Sequence, residues 1–235
     1  MLLPIPAFSD NYIWLFADNG KAWVTDPGDA APVVSALEGN NLQLSGILVT
    51  HHHGDHVGGI SGLLEKFHVP VYGPALSPAA GLITHKLVQN DVIEIHSRKF
   101  EIISVPGHTL DHIAFYSAEA NILLCGDTLF SAGCGRVFEG TYEQMYASLQ
   151  KLAALPDDTQ VCCAHEYTLS NLRFAQATEP DNQDIKNHIT HCQSLRKQGK
   201  PTLPSTLALE KKINPFLRCA DLAEFSARRE WKNHY

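Results

Sequence analysis

Apolar residues in the first two-thirds of the chain fall into short runs of four to six, most with a glycine, proline, asparagine or aspartate on at least one side. Runs of that length between turn residues read as strands. They predict strands at 12–16, 22–25, 46–49, 69–72, 92–95, 100–105, 113–116, 122–125 and 160–164. Several are apolar throughout instead of alternating, as befits strands covered on both faces. Helical spacing predicts helices at 32–37, 60–67 and 141–155, the last opened by a capping-box pair, Thr141 and Gln144. Sheets packed together with helices outside are the simplest architecture for this pattern.

Beyond His165 the pattern turns helical, with predicted helices at 169–177, 182–197, 207–213 and 222–231, punctuated by Pro180, Pro201, Pro204 and Pro215. The expected fold class is therefore α+β. A sandwich domain over residues 1–167 is followed by a helical C-terminal domain over residues 168–235.

Composition supports this picture. With 44% hydrophobic and 18% charged residues, a chain of 235 residues can bury a substantial core. No apolar run approaches the roughly 20 residues of a membrane helix. Residues 1–11 lack a basic region and do not read as a secretory signal. Six cysteines without a CxxC pair, two of them adjacent at Cys162 and Cys163, suggest reduced thiols and a cytoplasmic location. The net charge of −7 is divided unevenly. Residues 1–185 carry 8 Lys+Arg against 21 Asp+Glu, net −13; residues 186–235 carry 10 against 4, net +6. The basic last fifth reads as a solvated helical face or as a surface for an anionic ligand. It lacks the dense cationic run with interleaved aromatics of a nucleic-acid surface.

The chemistry is concentrated in Thr50-His51-His52-His53-Gly54-Asp55-His56, directly after the strand predicted at 46–49. Residues two apart in extended chain point to one side, so His51 and His53 can share a metal ion while His52 faces away. Gly54 permits a turn, after which Asp55 and His56 can address a neighbouring ion. His108, Asp127 and His165 each follow an apolar strand in the same manner. Five histidines and two aspartates divide into two sites with a shared carboxylate. The donor set suits two divalent ions, zinc before iron or manganese, and requires no thiolate from Cys134. His112 reads as a structural hydrogen-bonding residue. His68, His85, His96, His188, His191 and His234 have no supporting context. Asp26, before Pro27, either orients a ligating imidazole or opens a turn.

The HxHxDH pattern, Pro106-Gly107-His108-Thr109, Gly126-Asp127-Thr128 and His165 together resemble the metallo-β-lactamase superfamily. Two stretches narrow the likeness to the glyoxalase II, or hydroxyacylglutathione hydrolase, family. These are Gly133-Cys134-Gly135-Arg136-Val137-Phe138-Glu139-Gly140 and Cys163-Ala164-His165-Glu166-Tyr167-Thr168-Leu169-Ser170-Asn171. The resemblance runs nearly end to end and implies a four-layer αββα sandwich with a helical C-terminal domain. It implies one ion held by His51, His53 and His108 and another by Asp55, His56 and His165, with Asp127 bridging. Asp55 and Asp127 would act with a metal-bridging hydroxide on the thioester of S-D-lactoylglutathione, giving glutathione and D-lactate in methylglyoxal detoxification. Glutathione contacts would fall to Arg136, Phe138, Tyr167, Arg229 and Lys232. Phe138 stands where many relatives have tyrosine, and the tail after Phe216-Leu217-Arg218 is shorter than usual in the family. The alternative for Arg229 and Lys232 is exposed charge on a terminal helix.

The expected partner is thus a small glutathione thioester bound by a monomer, with no nucleic acid and no membrane. Competing readings are another superfamily hydrolase (lactonase, β-lactamase or nuclease), a persulfide dioxygenase, or a non-catalytic metal-binding module. Completion of a second metal set by Asp55 and His56 disfavours the last two.

Overall fold

The computed structural model describes residues 1–235, which form two compact units. The first comprises Met1–Ser104 with Asp111–Gly126; the second comprises Val105–Leu110 with Asp127–Tyr235.

In the first unit, β1 (Leu2–Ala7), β2 (Asn11–Asp18), β3 (Lys21–Thr25), β4 (Gln43–Leu48), β5 (Val71–Pro74) and β6 (His85–Leu87) form one sheet in sequence order. β1, β2 and β3 pair antiparallel; β3 to β6 run parallel. The crossovers hold α1 (Ala30–Gly39), then α2 (Gly54–Val57) and α3 (Ile60–Leu64). A second, antiparallel sheet contains β7 (Val92–Ile95), β8 (Arg98–Ser104), β9 (Ile113–Ser117) and β10 (Ile122–Gly126).

The all-apolar reading of β2 is explained by its two neighbours. Ile13, Leu15 and Ala17 join a core with Val33 and Leu37 of α1 and Ile60 and Leu63 of α3. Phe16, on the opposite face, packs edge-on against Phe100 of β8, with ring centroids 5.9 Å apart. The period of two thus serves two interiors, helices on one side and the second sheet on the other. Each fully buried aliphatic side chain contributes about 1.5–3 kcal/mol. α1 starts where Asp29 accepts a hydrogen bond from Ala31 N, satisfying one of the helix's free donors.

The second unit contains β11 (Leu129–Phe130), β12 (Gly133–Cys134), α4 (Tyr142–Ala153), β13 (Gln160–Cys163), α5 (Thr168–Thr178), α6 (Gln183–Lys197), β14 (Ser205–Thr206), α7 (Leu207–Ile213) and α8 (Leu222–His234). The capping box of Thr141 and Gln144 is present at the start of α4. Leu172, Ala175, Ile185, Cys192 and Ile213 join α5, α6 and α7 in one core with Ala132. Buried Glu210 of α7 accepts from Ala132 N at 2.8 Å and from Asn214 Nδ2 at 3.1 Å. Asn214 Nδ2 in turn donates to the carbonyls of Phe130 (3.0 Å) and Gly133 (2.9 Å). α7 thereby clamps the β11–β12 hairpin that leads to Cys134 and Arg136.

All six cysteines are free and buried. Burial pushes the thiols of Cys134, Cys162 and Cys163 up, and those of Cys192 and Cys219 up to about 12. No helix is long and apolar enough to cross a membrane.

The largest departures from the sequence-based elements lie at the chain's start and at the metal-ligand segment. β1 contains Pro4 and Pro6, which a run of strand residues does not suggest. It is an edge strand, and two prolines two residues apart place both missing N–H groups on the same side. Gly54 begins the one-turn helix α2 instead of a bare turn, so Asp55 and His56 leave from helical backbone. α8 continues to His234, three residues beyond the predicted end, where His234 Nε2 pairs with Glu230 Oε1 at 3.0 Å.

Candidate metal centre

In the first unit, the end of β4 delivers His51 and His53 in extended backbone and α2 delivers Asp55 and His56. His51 Nε2 lies 3.2 Å from His53 Nδ1, and His56 Nε2 lies 3.5 Å from Asp55 Oδ2. Behind them stands Asp26, 4% exposed. Its carboxylate accepts from Thr50 N and Thr50 Oγ1, both at 2.7 Å, and its Oδ2 lies 3.1 Å from His56 Nδ1. The Thr50 hydroxyl spends its proton on Asp26, so at 3.0 Å it accepts from His51 Nδ1. Both imidazoles are therefore held with the proton on Nδ1 and the lone pair on Nε2. One buried carboxylate orients two candidate ligands, and Asp26 itself sits in left-handed backbone at φ +55°.

His52 turns elsewhere, with Nδ1 2.9 Å from Asp111 Oδ1. His112 is buried, stacks on His51 with centroids 4.6 Å apart, and directs Nδ1 to the Ile113 carbonyl at 3.1 Å. Asn11, which carries no signal in the sequence, donates from Nδ2 to Asp55 Oδ2 at 3.0 Å.

In the second unit, His108, Asp127 and His165 converge. Asp127 Oδ2 lies 3.4 Å from His108 Nε2 and also 3.4 Å from His165 Nε2. His108 Nδ1 donates to the Arg136 carbonyl at 2.7 Å, which again leaves the lone pair on Nε2. Backbone N–H groups of Phe138 and Glu139 donate to the His108 carbonyl, and Gly140 N donates to Gly107 O, holding this loop. Gly135 is required by close approach, since a Cβ there would meet the Asp127 carbonyl oxygen at 1.9 Å.

These spacings fit metal ligands. Two atoms each about 2.0–2.1 Å from one tetrahedral ion lie about 3.3 Å apart. The four separations run from 3.2 to 3.5 Å. Imidazole nitrogens with fixed tautomers and carboxylate oxygens are the donors that divalent ions take. Divalent metal ions therefore suit both sets.

Of the residues expected to hold substrate, Tyr167, Phe138 and Arg136 touch the second set, whereas Arg229 and Lys232 make their contacts elsewhere. Tyr167 stacks on His165 with centroids 4.7 Å apart and planes 5° from parallel. Phe138 is 61% exposed, with its ring edge-on to His108, and the Arg136 guanidinium lies 5.6 Å from its centre. Arg229 is buried, donates to the Cys134 carbonyl at 3.0 Å, and lies over the Phe216 ring. Its Nε has no hydrogen-bond partner. Lys232 sits over Phe174 and Tyr235, and burial lowers its ammonium's pKa, with Arg229 and Arg173 adding repulsion.

Comparison with known proteins adds the family context. Residues 7–165 match the model of the metallo-β-lactamase superfamily, and residues 166–235 match the hydroxyacylglutathione hydrolase C-terminus. The chain is 55% identical over 230 residues to a hydroxyacylglutathione hydrolase of Aeromonas hydrophila, covering 97% of this chain and 90% of that protein. It is 50% identical over 253 residues to one from Chromohalobacter salexigens, covering 100% and 99%. The solved structure of ETHE1 from Myxococcus xanthus shares the fold at 23% identity, with a TM-score of 0.75 over 99% of this chain and 91% of that one.

Proposed function

We propose, for a chain that belongs to the hydroxyacylglutathione hydrolase family of the metallo-β-lactamase superfamily, the hydrolysis of S-(2-hydroxyacyl)glutathione thioesters such as S-D-lactoylglutathione. The observation that carries this reading is about 50% identity to hydroxyacylglutathione hydrolases along the whole chain, the C-terminal segment included. Its catalytic domain is residues 1–167 and its helical substrate-binding domain residues 168–235.

His51, His53 and His108 would hold one ion and Asp55, His56 and His165 the other, zinc in both cases. Asp127 would be shared, a role supported by its Oδ2 standing at one ligand spacing from both His108 and His165. Bound divalent ions supply Lewis acidity that lowers the pKa of water toward about 7 and polarises the thioester carbonyl. Asp26, through Thr50 and directly, and the Arg136 carbonyl keep three imidazoles in the ligating tautomer. Asp55 and Asp127 contribute the two negative charges of the set. No side chain need protonate the leaving group, because a cysteine thiolate, with an ordinary pKa of about 8.5, departs as the anion.

Arg136, Phe138, Tyr167, Arg229 and Lys232 would hold the glutathione moiety. Guanidinium and ammonium groups pair with its carboxylates through charge-assisted hydrogen bonds. The unpartnered Nε of buried Arg229 is a donor that a carboxylate would satisfy.

The test is turnover of S-D-lactoylglutathione by zinc-loaded protein, beside nitrocefin and a lactone. Thioester hydrolysis well above the other two is expected. Absence of thioester turnover by fully metallated protein would overturn the proposal.

A further inference from the structure

We infer that Asn11 is a positioning residue for the ion assigned to Asp55, His56 and His165, holding the Asp55 carboxylate in its ligating orientation. The inference rests on the dinuclear reading above and adds a residue to it. Asn11 opens β2 opposite Ala7 in the hairpin register and is 7% exposed. Its Nδ2 donates to Asp55 Oδ2 at 3.0 Å and approaches the Asp55 carbonyl oxygen at 3.5 Å, across 44 residues of sequence.

Asp55 needs such a restraint. It sits in a helix of four residues, and its side chain is 41% exposed, so solvent draws the carboxylate outward. At the start of a helix the free backbone N–H groups also attract a carboxylate towards themselves. A buried amide at hydrogen-bond distance opposes both motions. Being neutral, the amide orients the carboxylate without cancelling the charge an ion requires; a lysine in its place would form a competing ion pair.

The restraint is selective. His51 takes its orientation from Thr50, and His108 from the Arg136 carbonyl. Neither depends on Asn11. Loss of the amide should therefore weaken one ion and spare the other.

The experiment is zinc titration of the metal-free full-length protein against a chromophoric chelator, with Asn11→Ala and the nearly isosteric Asn11→Leu. His56→Ala serves as a control that removes the same equivalent. In both Asn11 variants the equivalent that His56→Ala removes should lose about 10–100-fold in affinity and the other less than about twofold. The metal-free proteins should melt close to the wild type. Unchanged affinity for both equivalents would overturn the inference. So would parallel loss of both equivalents with a lowered metal-free melting temperature, the mark of a purely structural residue. A wild-type protein that takes up only one equivalent would refute the dinuclear reading, and the role of Asn11 with it.

Discussion

Gly28 lies where the loop after β3 passes beneath α2, and replacing it with alanine tests how tightly that helix is placed. A Cβ on Gly28 would meet the Asp55 carbonyl oxygen at 1.9 Å, its carbonyl carbon at 2.4 Å and Phe8 Cε2 at 2.8 Å. Two of the three are backbone atoms, so no rotamer change relieves them. Reaching ordinary contact at 3.4 Å requires the loop and α2 to part by about 1.5 Å. That is about three times the roughly 0.5 Å within which a functional ligand has to be held. Overpacking of this kind costs about 1–3 kcal/mol, which in a domain of this size lowers the melting temperature by about 2–12 °C. The effect on metal should be larger than the effect on folding, because Asp55 and His56 ride on the displaced turn. Gly28→Ala is expected to lose at least one equivalent of zinc and about 100-fold or more in thioester turnover. Gly39→Ala is the control: nothing lies within 4 Å of its added carbon, and it should be neutral or stabilise α1 by up to about 1 kcal/mol. Metal analysis, calorimetry and the thioesterase assay on the two variants decide the matter. A Gly28→Ala protein with full zinc, wild-type rate and an unchanged melting temperature would refute the reasoning.

Two further outcomes follow from buried titratable groups. Glu210→Ala strands the Ala132 N–H, takes one of three acceptors from Asn214 Nδ2 and should cost about 2–4 kcal/mol in urea unfolding. Burial raises the Glu210 carboxyl above its ordinary pKa, so its protonation favours the folded state at low pH, a contribution lost as pH rises. Glu210→Gln should therefore be milder than Glu210→Ala at pH 7, and equal losses in the two would contradict this. The His188 imidazole is lowered to about 4, first by burial and then by His191. A depressed histidine favours folding fully above its ordinary value near 6.5, and that stability drains away as pH falls towards 4. Melting curves of His188→Gln should show a flatter decline across that window, and superimposable pH profiles would count against it.

The candidate metal ligands were legible because His51, His108, Asp127 and His165 each follow an apolar strand, and the first four candidates fall within residues 51–56. The chemistry that orients them was not. Asn11 and Asp55 are 44 residues apart, Asp26 and Thr50 are 24 apart, and His52 and Asp111 are 59 apart. Such pairings arise only when strands are placed side by side, and no local spacing announces them. Asp26 shows the limit well: orienting residue and turn residue were equal alternatives in the sequence, and the folded chain gives it left-handed backbone together with contacts to Thr50 and His56. Strands of four or more residues were legible from apolar runs, except β1, where Pro4 and Pro6 mask an edge strand. β11, β12 and β14, at two residues each, are too short for any periodicity. Arg229 could be read as exposed charge on a terminal helix; burial against Phe216 and Cys134 emerges only from packing.

A thioester-cleaving protein liberates a thiol at every turnover, and an oxidant turns that thiol into a disulfide able to exchange with protein thiolates. Exchange needs an accessible thiolate. With a pKa of about 12, Cys192 and Cys219 are ionised at pH 7 to the order of one part in 10⁵. Cys134, the cysteine nearest the candidate glutathione contacts, is buried beneath Arg229 with its thiol likewise held in the neutral form. The interior sulfurs make this chain a poor participant in the mixed-disulfide chemistry of its own product. Disulfide formed from that product by an external oxidant therefore finds no reactive thiolate here to cap.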